Sequence, residues 1–138
     1  MPRLTVWMVR LSLVYLILGA TWGSLILAAK ALPWGWAWQL YPAHWLMMLF
    51  GWMIPFALAI AFWAFPRFSF RSRPRGNETL AWVTAWAYHA GLAVLWVPGL
   101  FGVALPKAIR GLAAGVMALA VLLFVADQVK RVKPPGAR

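Results

Sequence analysis

The sequence predicts an all-α integral membrane protein, a four-transmembrane-helix bundle with both termini on the cytoplasmic side. Three observations lead there. Of 138 residues, 64% are hydrophobic and 11% charged, with a mean hydropathy of +0.78. A soluble domain carries about a quarter charged residues to cover its surface. The apolar residues fall into four blocks of about 20, the length that crosses a bilayer as a helix. The 13 Lys and Arg, against 2 acids, sit between those blocks and at the ends. The net charge of +11 therefore reads as membrane flanks, with the lipid bilayer as partner and no nucleic acid.

The first span is expected from about Leu11 to Ala29, between Arg10 and Lys30. It reads as a retained helix, since it is long for a signal peptide and no clean cleavage site follows it. A loop from Ala31 to Pro42 follows, holding Trp34, Trp36 and Trp38 at alternate positions. These read as an interfacial anchor, with a stacking platform for a planar ligand as the alternative. The second span is expected from Ala43 to Phe65, ending at Pro66. Pro55 removes one backbone hydrogen bond in mid-span and is expected to kink the helix near Gly51.

Arg67, Arg71, Arg73 and Arg75 then form a basic loop, read as the topology determinant or as a site for anionic lipid. The third span runs from Glu78 to Val97, with Asn77 or Glu78 as a polar start, and Pro98 to Pro106 forms a turn. The fourth runs from Ile109 to Ala126, with a basic tail over 127–138, so the chain is one membrane domain. Arg3, Arg10, the four loop arginines, Lys130, Arg131, Lys133 and Arg138 fall on one side; only Lys30, Lys107 and Arg110 fall on the other. The positive-inside rule puts the first group in the cytoplasm. Gly19/Gly23 and Gly111/Gly115 each make a G-x-x-x-G pair, which marks helix contacts within the bundle or between subunits.

The absence of cysteine excludes disulfides, thiolate metal sites and thioether attachment of haem. No carboxylate lies deep in a span, which argues against ion-coupled transport. There is no Ser-His-Asp set, no carboxylate pair and no phosphate loop. What remains is His44, near the outer end of the second span, and His89, in the outer half of the third. An intramembrane histidine is expensive unless neutral and partnered, and neutral imidazole is a good axial ligand for haem iron. At helical spacing His44 shares a face with Met48, Gly51, Pro55, Leu58 and Phe62, and His89 with Trp82, Trp86, Ala93 and Trp96. Each face joins one imidazole to small, flat or flexible apolar residues, as a macrocycle between helices requires. Either histidine also reads as a hydrogen-bonded interface residue, and a bare metal would need more ligands than two. The expected depths differ by roughly 9 Å at 1.5 Å per residue, which an earlier start of the second helix or tilt would reduce.

The run His44-Trp45-Leu46-Met47-Met48-Leu49-Phe50-Gly51-Trp52-Met53-Ile54-Pro55, closing with Phe65-Pro66-Arg67, resembles the second helix of subunit I of the haem-copper oxidase and nitric oxide reductase superfamily. The first span, with Tyr15, Gly19 and Gly23, is similar to that family's first helix. The resemblance implies that His44 ligates a haem, of b type here. It also implies electron transfer or binding of a small gas such as nitric oxide or oxygen. Later helices that carry the family's copper and second-haem ligands have no counterpart, so full oxidase or reductase chemistry is not expected. The resulting expectation is His44 and His89 on the iron, with Met48, Gly51 and Trp86 around the macrocycle. The alternative is a cofactor-free small subunit or assembly partner of a respiratory complex. A homo-oligomer or a respiratory-chain partner is expected, in a bacterial or archaeal inner (plasma) membrane.

Overall fold

A computed structural model describes residues 1–66 and 75–132, and every element among them is helical. Four helices are long and apolar enough to cross a membrane: Arg3–Ala28, Gly35–Ala64, Glu78–Leu100 and Lys107–Arg131. Helix α1 is Arg3–Ala28, so it starts well before the expected Leu11. Arg10 interrupts the hydropathy but is exposed on α1 and breaks no hydrogen bond of the helix. Arg67, Arg71, Arg73 and the tail from Lys133 lie outside the described residues.

The second apolar helix is built of four consecutive pieces. A 3₁₀ turn, Gly35–Leu40, leads into α2, Tyr41–Leu46; a π-helical stretch, Met47–Met53, then leads into α3, Ile54–Ala64. The Trp segment read as a loop is thus partly helical. Trp34 and Trp36 stack with centroids 6.5 Å apart, and all three tryptophans are exposed. The π stretch stands where the Pro55 kink was expected, and its cause is the same. The Pro55 ring clashes with the carbonyl four residues back, and a widened turn relieves the clash. Within it the Ile54 N–H donates to Leu49, five residues back. Phe50 loses both possible partners: Ile54 is committed elsewhere and Pro55 has no N–H. The Tyr88 hydroxyl donates to that orphaned Phe50 carbonyl at 2.8 Å.

Helix α4, Glu78–Leu100, is capped by Asn77, whose side chain accepts from the Leu80 N–H at 3.1 Å. It continues two residues past Pro98, which sits in its last turn. Helix α5, Lys107–Gln128, runs into a 3₁₀ turn, Val129–Arg131. Asp127 and Arg131, read from sequence as part of a basic tail, instead close this end of the bundle. The Arg131 side chain, 1% exposed, donates to the carbonyls of Phe62, Phe65 and Pro66 and to Gln128 Oε1. These carbonyls lie at and just past the C-terminal end of α3, where a helix leaves its last acceptors without intrahelical donors. Asp127 Oδ2 accepts from the Asn77 N–H and from Gln128. Gly76 allows that approach: its φ is +81° and a Cβ there would lie 2.6 Å from Asp127 Oδ2.

Small residues set the helix spacing, as expected where lipid supplies no hydrophobic drive for helix association. Gly19 and Gly23 receive Met48 and His44, while Gly51 receives the ring of Tyr15. The first G-x-x-x-G pair is therefore an internal contact. Gly91 rather than Gly111 or Gly115 forms the close approach of α4 to α5; a Cβ on Gly91 would meet Met117 and the Ala113 carbonyl. Gly111 and Gly115 face open space.

Candidate functional site

His44 stands on α2, where the second helix crosses the α1 face bearing Gly19 and Gly23. Its Nδ1 lies 2.7 Å from the Gly19 carbonyl. A carbonyl only accepts, so Nδ1 carries a proton, and in the neutral ring Nε2 has the lone pair. The Cε1 edge of the ring sits in the hole left by Gly23: a Cβ there would be 2.5 Å from Cε1. His44 also lines a cleft of about 170 Å³ with Gly23, Ile26, Leu27, Lys30 and Tyr41. The cleft opens on the outside of the bundle, so a ligand reaches it without unpacking the core.

His89 has a different setting. It is 5% exposed, and neither ring nitrogen has a hydrogen-bond partner among the described residues. Its ring stacks on Tyr15 at 5.7 Å and 9°, and meets Trp7 and Tyr88 edge-on at 5.6 and 5.5 Å. Beside it is a cavity of about 10 Å³ that Met8, Pro55, Thr84 and Phe124 also line. That is room for one water-sized molecule and far too little for a macrocycle. His89 is thus at the bundle centre, touching α1 as much as the second helix.

The two histidines do not come together. Along α1, His44 is level with Gly19 to Gly23 and His89 with Trp7 to Tyr15. From Tyr15, Gly19 is about 6 Å and Gly23 about 12 Å further along the helix. The second helix does start earlier than expected, but the offset remains, because the helix crossings on α1 set it. The other expected pocket residues are also dispersed. Met48 fills the space over Gly19, the space at Gly51 is taken by Tyr15, and Trp86 is 55% exposed beside Trp7 at 4.4 Å. A groove of about 510 Å³ between the second helix, α4 and α5 is lined by apolar residues and Tyr88, without a histidine. No group of three or more His, Cys, Asp or Glu is placed to hold a metal ion among the described residues.

A haem held between His44 and His89 does not fit this arrangement. At His44 alone one ring nitrogen is anchored, and the open cleft of about 170 Å³ takes only part of a macrocycle. A ring N–H anchored on a backbone carbonyl, with the opposite nitrogen free, is how ligating histidines are commonly held. Sequence reasoning missed Lys30 and Tyr41 as neighbours of His44. For Lys30 the signal was present: Gly23, Ile26, Leu27 and Lys30 recur at the spacing of one helix face. Tyr41 looked like loop and offered no such signal.

Compared with models of protein families, with curated proteins and with solved structures, the chain matches none.

Proposed function

We propose that the chain is a membrane-bound b-type haem protein in which His44 Nε2 is the axial ligand. Both termini are cytoplasmic in this reading, in a bacterial or archaeal plasma membrane. The observation that carries it is the 2.7 Å contact from His44 Nδ1 to the Gly19 carbonyl beside an open cleft. That hydrogen bond fixes the ring tautomer and holds the ring in one orientation against α1. Gly23 lets the ring lie against α1, so the orientation is set by helix crossing rather than by a flexible side chain. When bound, the haem supplies one-electron transfer or an iron position for a small gas. The resemblance of the His44–Pro55 run to the oxidase helix supports the same assignment.

The test is colour. Purified in detergent after expression with ample haem, the protein is expected to show a Soret band at about 400–430 nm, the region of protein-bound haem. His44→Ala should lose it while keeping its helical circular dichroism. A colourless wild-type protein overturns the reading.

The open Gly111/Gly115 face of α5 favours a second reading, a cofactor-free small subunit or assembly partner of a respiratory complex. A colourless protein that co-purifies with other membrane subunits, and loses them on Gly115→Leu, would establish it.

A further inference from the structure

The cleft beside His44 has a cationic rim that the axial ligand does not use. Lys30 stands just past the end of α1, two helical turns from Gly23 along the face that bears His44. Tyr41 stands across the cleft at the first position of α2, and its side chain is exposed. No acid lines the cleft, and Lys30 has no ion-pair partner among the described residues. Ile26 and Leu27 provide an apolar wall next to the ammonium and the phenol. An ammonium and a hydroxyl on the rim of one cleft, beside an apolar wall, suit an anionic oxygen group carried on an apolar body.

We infer that Lys30 and Tyr41 form a binding site for a carboxylate or phosphate borne by an apolar molecule lying against α1 and α2. The inference rests on the haem reading only for the anion's source. With haem on His44 it is a propionate; without haem it is the phosphate of an anionic lipid. Lys30 supplies the charge and Tyr41 the O–H donor, while His44 lines the same cleft. The face is selective for the anion because neither rim residue is an acceptor of comparable strength.

Two measurements separate the sources. Haem is titrated into apo-protein in detergent for wild type, Lys30→Gln, Lys30→Arg and Tyr41→Phe, read by the Soret band and by the rate of haem transfer to a scavenger. Lipid retention is read by native mass spectrometry after transfer from vesicles of phosphatidylglycerol or of phosphatidylcholine. A propionate site predicts that Lys30→Gln speeds haem loss about 10-fold, with the band position unchanged and Lys30→Arg restoring it. A lipid site predicts a comparable loss of phosphatidylglycerol but not phosphatidylcholine. Lys30 is exposed, so the variants are expected to fold, which elution and circular dichroism check. If Lys30→Gln and Tyr41→Phe leave both haem loss and lipid retention unchanged, the site is overturned. Should wild type bind no haem, the haem reading alone falls, and the lipid arm still decides this one.

Discussion

His44 and His89 are both imidazoles on apolar helices, yet their surroundings make them different chemical groups. His44 holds one nitrogen on a backbone carbonyl, and its side chain lines an open cleft. His89 is enclosed by Trp7, Tyr15 and Tyr88 and offers its nitrogens to nothing among the described residues. The first arrangement is an imidazole held in one orientation. The second is an aromatic plug with an unused polar capacity. Burial of a histidine between apolar helices is thus no measure of its chemical role; the partner of each nitrogen is.

Substitutions that act on one region and spare the other sharpen this contrast. The largest effect is expected from Gly23→Ala, whose methyl lands 2.5 Å from His44 Cε1. The ring must leave its place, so haem affinity should fall at least about 10-fold, with overpacking costing about 1–3 kcal/mol. Unchanged haem titration would show that the Gly23 hole does not orient the ligand. Gly51→Ala presses on the Tyr15 ring at 2.6 Å, on the His89 side. It should lower stability in mixed-micelle unfolding by about 1–3 kcal/mol and leave the Soret band in place. A shifted band would join the two regions into one site.

His89→Phe removes two unpartnered polar atoms and retains a flat ring. Because an unsatisfied buried polar group costs about 1–3 kcal/mol, the variant should be as stable as wild type or up to about 1 kcal/mol more so. Its Soret band should match wild type; loss of the band would restore His89 as a ligand. The smallest effect belongs to Tyr88→Phe, which leaves the Phe50 carbonyl without its donor. Interhelical hydrogen bonds in membrane proteins average about 0.6 kcal/mol, and a loss of that order is expected in the same unfolding assay.

Four apolar helices of bilayer length were legible in the sequence because hydropathy over about 20 residues is a property of the chain itself. Their limits were less so. A single Arg10 or Pro98 reads as a boundary in a hydropathy window, but helix hydrogen bonds tolerate one exposed arginine, and a proline near the last turn. Pro55 announced an irregularity, and the structure resolved it into a π stretch whose orphaned carbonyl Tyr88 caps. His44 was legible as a ligand candidate from the residues around it, and Gly19 and Gly23 as a contact face. What the sequence could not supply was register between helices. Periodicity places His44 and His89 on faces, but only the crossings on α1 decide that they lie at different levels, about 6–12 Å apart along it. The same crossings decide that Gly51 receives Tyr15, that Lys30 and Tyr41 flank His44, and that Arg131 turns back onto the end of α3. A face is fixed by local spacing of 3.6 residues per turn; which faces meet, and at what height, depends on small-residue contacts made simultaneously by all the helices.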